Sequence, residues 1–287
     1  VAIGTFIRAS VVVAWCAIAS VHFVRYALPG LGVSERRDLG ATLTAQMDRT
    51  LMYRVVVGDQ DFGRCRLAFN REEAGYLVSF AIDLTSLPFP QFLTAATDLR
   101  TTEGSIHLSI QQRYNDRVRL TAVTADGQAF GIPLRANATA DARGLHGTVT
   151  IQENEHPFHL PAASSDDQQC TLTPTLPPGL KPGDQFRTTM MTVGLTLTPQ
   201  RVVAVYAVQA PEMIVTAQGM LALMQVEMTS NGKAAGTLWC DATGTIYRLA
   251  TLSPAVTLEL LSITHASEGQ IFPRVAPMDE IRNRVHE

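Results

Sequence analysis

Residues 219–241 read GMLALMQVEMTSNGKAAGTLWCD, and this stretch decides the fold. Met224, Val226 and Met228 alternate with Gln225, Glu227 and Thr229, the two-residue period of a strand with one apolar face. Ser230-Asn231-Gly232-Lys233 then turns the chain, because Asn-Gly tolerates the positive φ that a type I′ hairpin needs at both central residues. On the returning strand Leu238 and Cys240 share one face, with Thr237, Trp239 and Asp241 on the other.

Outward from this hairpin the pattern repeats. Asp241-Ala242-Thr243-Gly244 turns into Ile246 to Thr251, and Val256, Leu258 and Leu260 mark a last strand. Upstream lie Gln200 to Val208 and Met213 to Thr216, read as separate strands. Earlier still, Cys65, Leu67 and Phe69 alternate with arginines. A Glu72-Glu73-Ala74-Gly75 turn leads into Tyr76, Val78, Phe80, Ile82 and Leu84. Ile106, Leu108 and Ile110 follow, then turns at Asn115-Asp116 and Asp126-Gly127 and a strand near Phe130 to Leu134. Short alternating runs between Gly, Asn and Asp turns predict an antiparallel meander, covered on one face only. Ser86 to Arg100 breaks the rhythm: Phe89, Phe92, Leu93, Ala96 and Leu99 have helical spacing, which predicts a short helix over the sheet. The Pro-, Ser- and Asp-rich residues 161–182 divide the β region, 51–262, into two halves. The tail, 263–287, ends in a possible helix from Met278 to Val285.

The chain begins in a different material. Ala9 to Val24 has no charged side chain, and Arg8 and Arg25 bracket it. With apolar flanks from Ile3 to Leu28, the stretch reaches the ~20 residues a transmembrane helix needs. Residues 1–28 are therefore expected to form an anchor. A cut signal peptide at Ala17-Ile18-Ala19 and a lipid anchor on Cys16 are the competing readings, and Trp15 speaks against the second. Small residues let helices approach in lipid, so Ala14, Ala17 and Ser20, with the ionisable His22, are the candidate helix-docking residues. Residues 29–50 form a juxtamembrane linker in which Ser34 to Met47 reads as a short amphipathic helix near the membrane surface. Arg25, Arg36 and Arg37 favour the cytoplasm for the body, so its side of the membrane stays open at this point.

Composition excludes some chemistry. With a net charge of −3 and no basic run, the chain is not suited to nucleic acid. Cys65, Cys170 and Cys240 allow at most one disulfide, no CxxC pair occurs, and buried small apolar roles suit them. There is no GxSxG elbow and no phosphate-binding loop. His156 and His159 flank a proline near Glu153 and Glu155 and read as surface histidines rather than metal ligands. Glu72-Glu73 reads as a solvated turn. No catalytic residue, metal site or cofactor is expected.

Residues 180–191 (LKPGDQFRTTMM), 195–206 (LTLTPQRVVAVY), 219–251 and the opening run 52–69 (MYRVVVGDQDFGRCRLAF) resemble bacterial membrane-tethered envelope β domains akin to the periplasmic lipoprotein-carrier half-barrels. The resemblance implies a curved antiparallel sheet on a bacterial inner-membrane anchor, with the body periplasmic, and lends no catalytic residue. Two functions are then expected. The first is a non-catalytic single-span accessory subunit, with integral membrane subunits and the lipid bilayer as partners. The second is a tethered lipid or lipoprotein binder using Phe80, Ile82, Leu108, Ile110, Val226 and Met228 on its concave face.

Overall fold

The computed structural model describes residues 39–88, 103–161, 175–193, 199–230, 232–252 and 255–265. One helix, α1 (Leu39–Ala45), precedes fourteen strands. They are β1 (Arg49–Val57), β2 (Gln60–Glu72), β3 (Gly75–Pro88), β4 (Glu103–Asn115), β5 (Leu120–Ala129), β6 (Ile132–Asp141) and β7 (Gly144–Ile151), followed by β8 (Asn154–Pro161), β9 (Gln185–Val193), β10 (Pro199–Thr216), β11 (Gly219–Ser230), β12 (Lys233–Cys240), β13 (Ile246–Thr251) and β14 (Val256–His265). All belong to one antiparallel sheet in the order β8-β7-β6-β5-β4-β3-β2-β1-β14-β13-β12-β11-β10-β9. Every neighbour is a sequence neighbour except β1 and β14, which join the two meanders by pairing Arg49 with His265 through Val57 with Val256.

Alternation puts apolar residues of neighbouring strands side by side on one face of the sheet. Tyr53 stands beside Cys65, Cys65 beside Ile82, and Ile82 beside Leu108. In the second meander Phe186, Tyr206 and Met228 line up in the same way. This inner face forms two large cores. One lies over β1–β7 and β14 and includes Leu39 and Leu43 of α1; the other lies over β9–β13 with Leu176 and Leu180 of the preceding loop. Phe186 stacks on Tyr206 with ring centroids 5.0 Å apart. The Ser230–Lys233 hairpin closes as its sequence suggests, with Gly232 at φ 69°.

Several expectations are corrected. Met213 to Thr216 is not a separate strand: β10 runs through Pro211, and a bulge between Val208 and Pro211 absorbs the missing donor. Asp126-Gly127 is no turn. It lies inside β5, and the chain reverses at Phe130 and Gly131, both at positive φ. The helix expected near the membrane surface is the short α1, which buries Leu39, Thr42 and Leu43 against the sheet. The helix expected over Ser86 to Arg100 is corrected at its start, since Ser86, Leu87 and Pro88 belong to β3; the rest of it, the anchor (1–28) and the tail helix lie outside the described residues. Among those described, no helix is long and apolar enough to cross a membrane. The fold expectation of a membrane helix with a half-barrel is thus replaced by an open antiparallel sheet, whose hydrogen-bonded ladder ends at β8 and β9 without closing.

Candidate functional site

The titratable groups furthest from their ordinary behaviour are buried and inert. Burial pushes the Cys65 thiol up to about 12. Burial, then the neighbouring Asp241 carboxylate, does the same for Cys240. Tyr53 and Tyr206 are also raised, chiefly by burial. A nucleophilic thiol needs a lowered pKa, so these shifts run opposite to activation.

A polar seam joins α1 to the β12–β13 turn. One Asp241 oxygen, Oδ1, accepts from the Thr243 amide at 2.8 Å, the Thr243 hydroxyl at 2.7 Å and the Thr245 amide at 3.0 Å. Gln46 Nε2 donates to the Thr243 carbonyl at 3.0 Å, and the Thr245 hydroxyl donates to Gln46 Oε1 at 3.2 Å. Gly244 is required here, since a Cβ would stand 2.3 Å from the Leu176 carbonyl oxygen. The cleft beside the seam, lined by Tyr53, Phe69 and Leu176 among others, has an interior volume of only about 10 Å³. That is about the room one water molecule needs and far short of a ligand pocket. The seam locks the helix and the 175–180 loop onto the sheet.

The outer face is polar and internally paired. Arg54 bonds Glu259; Arg248 lies 3.9 Å from the same carboxylate and 5.5 Å over the Trp239 ring; Trp239 Nε1 donates to Glu212 at 3.0 Å. Further along the face His107 meets Asp83 at 2.9 Å and Arg135 meets Asp126 at 3.0 Å. Such cross-strand pairs hold the register of the sheet.

The histidines expected on the surface are placed clearly. His156 is opposite Val149 and His159 opposite His146, so an odd spacing sends them to opposite faces of β8. His159 instead neighbours His146, with ring centroids 6.5 Å apart, and His146 Nε2 lies 3.0 Å from the Thr139 hydroxyl. The pairing of β7 with β8 could not be read from the His-x-x-His spacing. Among the described residues no three His, Cys, Asp or Glu side chains are placed to hold a metal. Glu72 meets Arg113 at 3.4 Å. Ala14, Ala17, Ser20 and His22 lie outside the described residues.

Coverage of the apolar residues varies along the sheet, and at the β10–β11 end Met213, Val215 and Met220 are 59–76% exposed. Val226 and Leu238 are fully buried and Met228 is 1 % exposed, whereas Phe80, Ile82, Leu108 and Ile110 are only half-buried. The register sets Phe80 beside Ile110 and Ile82 beside Leu108. Next to them come Ala125 and Gly127, and then Ala136 and Leu134. Phe80, Ile82, Leu108 and Ile110 thus continue through Ala125, Gly127 and Ala136 to Leu134 as one half-buried apolar strip across four strands, the trough of this face.

No family model and no curated protein matches the chain. Among solved structures, a β-barrel-like protein of a domain of unknown function, DUF1849, from Brucella abortus is 7% identical, over 76% of this chain and 98% of that one, with a TM-score of 0.45. A DUF1089 family protein from Pseudomonas aeruginosa is 13% identical, over 77% of this chain and 94% of that one, with a TM-score of 0.34. At these scores neither likeness defines a shared fold. The resemblance to lipoprotein-carrier half-barrels is corrected, because the sheet is open. With no described helix able to span a bilayer, the single-span accessory subunit, the tethered lipid or lipoprotein binder and the single-pass inner-membrane placement are all withdrawn.

Proposed function

We propose that this chain is a non-catalytic binding protein whose recognition surface is the half-covered apolar trough of β3–β6, and that it takes an apolar segment of another polypeptide. The observation that carries this reading is the contrast along one face: complete burial at Val226 and Leu238, half-burial at Ile82 and Ile110. Apolar surface gains ~25 cal/mol per Å² when removed from water, so an uncovered strip favours a partner that covers it. A polypeptide suits the strip better than a compact ligand, because the strip extends across four adjacent strands. The net charge of −3 favours a partner other than nucleic acid. Labelled decapeptides rich in Leu, Val and Phe, titrated by fluorescence anisotropy, test the proposal. Saturable binding that Ile82→Thr weakens supports it, and failure of every apolar peptide to bind refutes it.

A further inference from the structure

The trough is bordered on all sides by better-covered positions. Toward β2, Phe80 and Ile82 stand beside Leu67 and Cys65; toward β7, Ala136 and Leu134 stand beside Val149 and Ile151, and all four of these neighbours are buried. Along the strands, Val78, Gln112 and Ala138 are buried past one end of the trough, and Leu84, Ile106 and Ala129 past the other. The open part therefore crosses four strands, about 14 Å at ~4.8 Å per strand spacing, and is two side chains long on each.

This floor decides the conformation of what lies on it. No position in the trough carries a hydrogen-bonding side chain, and the backbone of β3–β6 is already paired to a neighbouring strand on both sides. An extended segment laid on such a face leaves N–H and C=O groups without partners against apolar surface, whereas a helix satisfies them within itself. Length points the same way. The ~14 Å holds roughly four extended residues, two of them facing the sheet, but roughly ten helical ones, with i, i+3, i+4 and i+7 on one side.

We propose that the occupant is an amphipathic α-helix of about ten residues from another polypeptide, lying across β3–β6 with its apolar stripe on the sheet. This rests on the reading of the trough as a site for an apolar polypeptide and names that polypeptide's conformation. Phe80, Ile82, Leu108 and Ile110 supply the large contacts, while Ala125, Gly127 and Ala136 leave room for the helix's own leucines.

Two isomeric labelled peptides, added to the full chain, test this. In one, leucines recur at i, i+3, i+4 and i+7 among Ala, Glu and Lys; in the other the same residues alternate, with leucine at every second position. The first is expected to bind about tenfold more tightly and to gain helical circular dichroism on mixing. Ala125→Phe fills the floor and is expected to weaken that binding about tenfold. Ala136→Phe serves as a second arm should this variant lose its strand spectrum. An alternating peptide that binds as tightly as its isomer overturns the helical occupant and leaves an apolar-peptide site standing. If neither peptide binds, the site itself fails and the helix with it. Wild-type affinity in a folded Ala125→Phe or Ala136→Phe protein also overturns the proposal. So does binding seen only after residues 89–102 are replaced by a Gly-Ser linker, which makes that segment of the same chain the occupant.

Discussion

The Tyr53 hydroxyl donates to the Ile246 carbonyl at 3.0 Å, with the bond buried. It ties β1 to β13 across the intervening β14, at the junction where the two meanders become one sheet. Removing the donor strands a buried carbonyl, which costs ~1–3 kcal/mol. Tyr53→Phe is therefore expected to lower the unfolding free energy by about that amount in urea titration, with strand content unchanged. A midpoint equal to wild type means the bond does not contribute.

Gly232, at φ 69°, occupies the half of the Asn-Gly turn that side chains avoid. Gly232→Val puts a β-branched residue in the left-handed region and is expected to cost ~1–2 kcal/mol. Thermal melts of the two proteins compare this, and equal midpoints contradict the turn geometry.

The hairpins were legible in the sequence because turn chemistry and two-residue alternation are local. The chain reverses between Glu72 and Gly75 and between Ser230 and Lys233, where the residues indicate. Asp126-Gly127 misled for the same reason: the pair is a turn signal in isolation, but here the ladder carries it inside β5. The β1–β14 pairing was not legible, since Arg54 and Glu259 lie 205 residues apart and leave no local trace. Nor was β9 recognised, being a short run after a proline-rich loop. The concave face expected from Phe80, Ile82, Leu108, Ile110, Val226 and Met228 does not hold as one surface: the first four stand together in the β3–β4 register, and Val226 and Met228 belong to the other core. The half-burial of the first four depends on which elements cover them, a tertiary property that alternation does not encode. The burial of Val226 and Met228 against the β9–β13 core likewise required the fold.

Alkaline pH should loosen the protein. The Cys65 thiol is raised from its ordinary 9.0 to about 12. Cys240 shifts likewise. In the unfolded chain these thiols ionise first, so their contribution to stability is full below about pH 9 and is lost as pH rises toward 12. Urea midpoints are expected to be flat with respect to these groups at neutral pH and to fall above pH 9. Replacing both by Ala is expected to lessen that fall. An undiminished alkaline fall in the double variant would show that the thiols do not take part.

His156 and His159 lie on opposite faces of β8, so one metal ion cannot take both from that strand. Replacing both with Gln is expected to leave the melting temperature and any zinc response of the protein unchanged. A zinc-dependent rise in melting temperature in wild type that the double variant lacks would contradict the placement.

Ser109 and Ile110 are neighbours on β4 that point to opposite faces of the sheet, toward the polar surface and the apolar trough respectively. The most direct measurement compares apolar-peptide affinity in Ser109→Thr and Ile110→Thr, two substitutions to the same β-branched residue one position apart. Binding through the trough predicts wild-type affinity for Ser109→Thr and about tenfold weaker binding for Ile110→Thr, with both proteins retaining their strand spectrum. Equal affinities in the two folded variants would contradict it.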